Sequence, residues 1–172
     1  MLGQKNSHSE VKRGLKPLFP RLWRYCVSLT GSVDRADDLA QAVCLRAIER
    51  AEQFEVGTKL DRWVFTIAQR LWINELRKQA VRQGGGLAPI EEIEIPDSKA
   101  GPDSNLLARE VLLKVLALPE AQRVTVMLVY VEGYSYKEAS NMLDIPIGTV
   151  MSRLSAARSK LARQLNDESD TG

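Results

Sequence analysis

The sequence predicts an all-α protein: two small helical domains joined by a flexible acidic linker. Three observations predict it. Apolar residues recur at helical spacing over long stretches, while strict alternation is poor. Three consecutive glycines and three prolines interrupt residues 84–105, GGGLAPIEEIEIPDSKAGPDSN, a composition that packs no regular element. The charge is uneven, with a net of +6 over residues 1–83, −4 over 84–105, +3 over 106–166 and −3 over 167–172. Two basic blocks around an acidic connector suit a protein that touches a polyanion at two places. A chain of 172 residues fits one or two small domains, and 44% apolar residues suffice for packed cores.

The elements follow in order. Residues 1–13 are polar and read as a flexible N-terminus. The first domain, 14–83, holds three helices. Leu15–Leu29 carries an apolar face of Leu15, Leu18, Leu22, Cys26 and Leu29, and Gly31 and Ser32 break it. A second helix runs from near Asp34 to about Gln53. Asp34, Asp37 and Asp38 suit its N-terminal dipole, and Ala40, Val43, Cys44, Ala47, Ile48 and Ala51 form its inward stripe. After a loop from Phe54 to Thr58, a third helix runs from about Lys59 to Arg82, where Gly84-Gly85-Gly86 stops it. The second domain, 106–166, opens with a helix at Leu106–Leu116. Pro119, at an N1-like position, starts the next, which runs to about Glu132 with Val124, Met127, Leu128 and Val131 inward. Gly133 ends it. Helices at Ser135–Leu143 and Thr149–Leu165 follow, and 167–172 reads as a flexible tail.

Several function classes drop out. No run of about 18 apolar residues exists, so no membrane insertion is expected. The polar N-terminus lacks an apolar signal core, so the chain is expected in the cytoplasm. Cys26 and Cys44 lie in apolar helical patterns without CxxC spacing and read as reduced core thiols; a redox pair, or a metal site with the lone His8, is the alternative. One histidine, no glycine-rich phosphate loop and no paired metal-ligand motif leave no catalytic constellation. The chain reads as a non-enzyme without cofactor or metal.

The strongest local pattern is Tyr134–Leu161, YSYKEASNMLDIPIGTVMSRLSAARSKL. Ser135 can cap a helix, with Glu138 completing a capping box. Pro146 cannot continue it, Gly148 offers a tight corner, and Thr149 can cap the next helix. Val150, Leu154, Ala157 and Leu161 recur at core spacing. The opposite side shows Thr149, Met151, Ser152, Ser155 and Arg158, with Arg153, Lys160 and Arg163 beside it. Short polar groups for base edges, flanked by cations for phosphates, make a recognition helix in a helix-turn-helix. A plain helical hairpin with a solvated basic face is the bland alternative.

At these residues the chain resembles the extracytoplasmic-function (ECF) sigma factors of the sigma-70 family. IPIGTVMSRLSAARSKL is similar to their promoter-reading helix, and LPEAQRVTVMLVYVEGYSYKEA to the segment before it. The resemblance implies a region 4 domain reading the minus-thirty-five promoter element through Thr149, Met151, Ser152, Arg153, Ser155 and Arg158. In this block Ser140 stands where the family usually has Ala, Asp144 where Gly is usual, and Met151, Ser155 and Ala156 where longer polar or aromatic side chains are common. Asp144 can take the left-handed conformation at some strain.

The first block resembles region 2 of the same family. DDLAQAVCLRAIERAEQF (Asp37–Phe54) is similar to its polymerase-binding helix, with Asp38, Gln41, Leu45 and Glu49 outward. An exposed Leu ringed by polar groups suits a docking patch. The resemblance implies that this patch grips the clamp coiled coil of the largest subunit of core RNA polymerase. KLDRWVFTIAQRLWINELRKQ (Lys59–Gln79) is similar to the helix that opens the strands and reads the minus-ten element. Leu60, Trp63, Val64, Ile67, Leu71 and Trp72 make its apolar sector. Arg62, Thr66, Gln69, Arg70, Ile73 and Arg77 lie opposite, with Lys78 adjacent. Cations interleaved with small groups suit a single strand and a flipped base. The minus-ten candidates are therefore Arg62, Thr66, Gln69, Arg70, Asn74, Arg77 and Lys78. Trp63 and Phe65 read as core rather than stacking platforms, and Trp72 as extra core or an exposed wedge.

Linking two weak DNA-binding modules raises the effective concentration of the second once the first has bound, provided the spacing fits. Core polymerase would fix that spacing, so promoter DNA recognition is expected to need it. The resemblance also places the linker in the channel that later holds nascent RNA, where Glu91, Glu92, Glu94, Asp97 and Asp103 would mimic RNA; an acidic tether is the alternative. The family further implies an anti-sigma factor partner. A dimeric helix-turn-helix regulator and a sigma-like decoy that binds an anti-sigma factor are the rival functions. The cations Arg62, Arg70, Arg77, Arg153 and Arg158 weigh against the decoy.

Overall fold

The computed structural model describes residues 2–84, 110–111 and 113–169, and the chain divides into two compact units, Met1–Glu92 and Ile93–Gly172. Among the described residues both units are built from helices and the loops between them. The acidic connector expected over 84–105 lies outside the described residues except for Gly84, and so does the idea of an RNA mimic.

The first unit packs three helices: α1 (Leu2–Thr30), α2 (Val33–Glu49) and α3 (Leu60–Arg82). α1 starts at Leu2, well ahead of the expected Leu15. The reason is that its buried stripe continues upstream at helical spacing through Val11 and Ser7. A polar Ser7 hides that continuation, and Pro17 imitates a helix start. Pro17 and Pro20 instead lie inside α1 on its exposed side, where the lost backbone donors face water. Gly31, with φ of 67°, turns the chain, and its N–H donates to the Val27 carbonyl at 2.8 Å. Ser32 then caps α2 by accepting from the Arg35 N–H. α2 buries Ala36, Leu39, Ala40, Val43 and Ala47, small side chains that let helices approach closely. Cys44 and Ile48 are only half-buried, so the stripe lies nearer Ala36 and Leu39 than expected.

A short 3₁₀ turn, Ala51–Gln53, leads into the loop, which the buried Phe54 anchors. α3 buries Val64, Phe65, Ala68 and Trp72. Phe65 stacks on Tyr25 of α1 with ring centroids 4.7 Å apart, and the Tyr25 hydroxyl donates to Gln69 at 3.2 Å. Trp72 is 4% exposed, which makes it core and not a wedge; the Arg35 guanidinium lies 4.7 Å over its ring. Gly84, with φ of 64°, follows the C-terminus of α3.

In the second unit residues 113–116 are helical, and Val115, Leu116 and Leu118 are buried. Pro119 caps α4 (Glu120–Val126) one residue outside the helix. Arg123 is buried and donates from Nη1 to the Leu116 and Leu118 carbonyls, at 3.1 and 3.2 Å. Burial lowers its pKa, with Glu120 opposing; bonding those carbonyls satisfies the end of the preceding helix. α4 continues as a π turn, Met127–Val131, in which Glu132 N–H reaches back to Met127 at 2.9 Å. Val131, expected inward, is 54% exposed, because the wider turn rotates side chains away from the 3.6-residue register.

Gly133, with φ of 75°, ends that turn. Ser135 and Glu138 form the capping box of α5 (Tyr136–Leu143). Asp144 closes it in the left-handed conformation, φ 53° and ψ 50°. The Ser140 hydroxyl donates to the Ile145 carbonyl at 2.5 Å. Ser140 and Asp144 thus shape one corner together. α6 runs Ile147–Ser169. Thr149 is therefore inside its first turn and does not cap it, and the left-handed residue of the corner is Asp144, not Gly148. Val150, Leu154 and Ala157 are fully buried and Leu161 half-buried.

Candidate nucleic-acid interface

On α2, Asp38, Gln41, Leu45 and Glu49 recur three and four residues apart and share one exposed face. Leu45 is 60% exposed. Glu49 lies 3.7 Å from the Nε of Arg46, a surface pair of little energetic weight. The face is an apolar point in a polar rim.

On α3, Val64, Phe65, Ala68 and Trp72 turn inward; Arg70 and Arg77 are exposed on the outer side, with Arg62 and Thr66 half-buried beside them. Asn74 and Lys78 lie roughly a quarter of a turn further round. Gln69 is half-buried, and its carbonyl accepts from Tyr25. A buried tyrosine hydroxyl requires such a partner, so Gln69 faces α1 at the inner edge of the row.

Two clefts flank the outer face. The first, about 460 Å³, is lined by Thr58, Lys59, Arg62, Trp63 and Thr66. Trp63 is half-buried and packs against Phe54 at 5.3 Å. It is part core and part cleft wall. An aromatic wall with a cationic rim suits an extruded base and its phosphate. The second, about 600 Å³, lies between α2 and α3 and includes Arg35, Asp38, Trp72, Asn74 and Lys78. It brings Asp38, expected on the polymerase face, beside Asn74 and Lys78, expected on the DNA face.

On α6, Ser152 and Ser155 occupy the middle of the outward side. Met151 and Arg158 run along one flank, Thr149 and Arg153 along the other. Met151, Ser152, Ser155 and Arg158 are exposed, while Thr149 and Arg153 are half-buried. Ser152 donates to the Thr149 carbonyl at 3.0 Å, leaving its oxygen able to accept. Arg158 donates to the Tyr130 hydroxyl at 2.8 Å. Sequence reasoning missed this tyrosine. Tyr130 carries no periodic signal, because the π turn that aims it leaves none in composition.

The cysteines are free thiols, Cys26 buried and Cys44 half-buried. Burial, with Cys44 nearby, pushes the Cys26 thiol up to about 12, and burial also raises Cys44. Among the described residues no group of three His, Cys, Asp or Glu could hold a metal ion. No helix among them is long and apolar enough to cross a membrane.

Residues 16–82 match the family Sigma-70 region 2, and residues 108–161 match Sigma-70, region 4. The chain is 35% identical over 146 residues to the ECF RNA polymerase sigma factor EcfG of Rhodopseudomonas palustris (strain TIE-1), covering 85% of this chain and 80% of that protein. It is 28% identical over 182 residues to the ECF RNA polymerase sigma factor SigW of Bacillus subtilis (strain 168), covering 95% of this chain and 97% of that one. A solved structure of the sigma factor RpoE in complex with the anti-sigma factor NepR, from Bartonella quintana, aligns with a TM-score of 0.76 at 29% identity, over 90% of this chain and 96% of that one.

Proposed function

This chain belongs to the ECF sigma factors of RNA polymerase, with sigma-70 regions 2 and 4, and we propose that it directs core polymerase to promoters by reading two elements with its two units. The family is non-enzymatic, and the polymerase does the chemistry.

In this reading the α2 face of Asp38, Gln41, Leu45 and Glu49 docks on the clamp coiled coil of the largest subunit. The outer side of α3, with Arg62, Thr66, Arg70, Asn74, Arg77 and Lys78, takes the opened minus-ten strand. Gln69 supports that row from its inner edge. α6 enters the major groove of the minus-thirty-five duplex with Ser152 and Ser155 toward base edges, and Thr149, Met151, Arg153 and Arg158 flanking them. The observation that carries this best is the placement of a cationic, aromatic-walled cleft beside α3 in one unit and a capped helix-turn-helix in the other. A cleft fits an extruded base, and an exposed helix fits a groove.

The protein would act in the cytoplasm, where core polymerase is. The NepR-bound structure supports an anti-sigma factor as a further partner. The test is run-off transcription with purified core polymerase on a genomic promoter library. Discrete start sites sharing two spaced elements are expected. A chain that neither binds core polymerase nor yields any start site would overturn the proposal. Leu45→Asp serves as the docking control: it should weaken capture of core polymerase at least about tenfold while the thermal midpoint stays put.

A further inference from the structure

Tyr130 belongs to the π turn Met127–Val131, outside the helix-turn-helix proper, yet its hydroxyl meets Arg158 of α6 across a separation of 28 residues. Both side chains are exposed, Tyr130 to 50%. A hydroxyl that accepts from a guanidinium keeps its own O–H as a donor, and the adjoining cation polarises that O–H. Arg158 has further N–H groups beyond the one bonded to Tyr130. The pair therefore offers two kinds of donor to one point in solvent. Held by Tyr130, Arg158 has less freedom left to lose when an anion arrives.

A tether between the π turn and α6 is the plain alternative. An exposed hydrogen bond adds little to stability, whereas π turns interrupt better backbone geometry and concentrate at functional sites. Here the turn leaves Val131 in solvent and carries Tyr130 to the flank of the recognition helix. We propose that Tyr130 and Arg158 form a clamp on a single backbone phosphate of the upstream duplex, extending the DNA surface onto the π turn. The clamp rests on the reading that α6 faces that duplex. Its ligand is a phosphodiester, so it sets register and affinity and carries no base preference.

The test uses holoenzyme and a promoter obtained by library selection. Tyr130→Phe removes one oxygen and keeps the ring. It should weaken closed-complex binding about five- to tenfold, with base preference in the upstream element unchanged. Scanning the duplex with single methylphosphonate substitutions should reveal one position whose neutralisation weakens the parent and leaves Tyr130→Phe unaffected. Binding by Tyr130→Phe equal to the parent overturns the clamp. So does an equal loss for both proteins at every neutralised phosphate, which marks a structural tether. If parent holoenzyme binds without regard to the upstream element, the reading of α6 itself fails and the clamp with it.

Discussion

Two of the cation-bearing helices, α3 and α6, hold their charges differently. On α3, Arg70, Arg77 and Lys78 are exposed on the outside of a helix whose inner side is aromatic, next to a cleft walled by Trp63. On α6 the charges flank a row of small polar groups; Arg153 is half-buried, and Arg158 is braced by Tyr130. The contrast matches two kinds of target. A single strand has no fixed phosphate spacing, so mobile cations beside a pocket can follow it. A duplex presents phosphates at set positions, where donors aimed in advance lose less entropy. In the proposed reading the same residue type serves two purposes according to how its neighbours hold it.

The inner side of α3 is the place to break this comparison most severely. Trp72→Ala should cost about 3–5 kcal/mol of stability in denaturant unfolding, because the side chain is core and Arg35 would lose its stacking partner. A loss near zero would return Trp72 to the surface. Arg77→Ala should slow open-complex formation on duplex promoter about tenfold and be largely rescued on a template opened beforehand across the minus-ten element. Arg153→Ala should weaken closed-complex binding about fivefold, with no rescue by the opened template and a shallower salt dependence. If the two variants respond alike to opening, the helices do not divide the labour. The smallest effect concerns the corner that aims α6. Asp144→Gly removes a left-handed non-glycine residue and should raise stability by about 0.5–1 kcal/mol in denaturant unfolding.

Much of this was legible in the residues. Ser135 and Glu138 announce their capping box, because capping uses side chains that sequence displays. Gly31, Gly84 and Gly133 mark helix ends, because positive φ leaves few other choices. What stayed hidden depends on backbone register or on tertiary partners. The upstream half of α1 was missed because Ser7 sits where an apolar residue would have continued the stripe. Val131 was placed inward because a 3.6-residue period cannot register a π turn. Thr149 looked like a cap, but the helix begins two residues earlier, at Ile147. Gln69 was grouped with the outer cations because nothing local shows that Tyr25, forty-four residues away, needs an acceptor. In the candidate interface the residue types were visible, whereas the tyrosine that braces Arg158 appeared only once the π turn and α6 were packed together.

Site-specific photo-crosslinking in holoenzyme tests the division of labour most directly, with the probe at Thr66 on α3 or Ser155 on α6. Two-body promoter recognition predicts that the Ser155 probe captures upstream duplex before and after opening. The Thr66 probe should capture the minus-ten strand only once the duplex has opened. Capture of one common element by both probes, or capture by Thr66 that ignores opening, would contradict it.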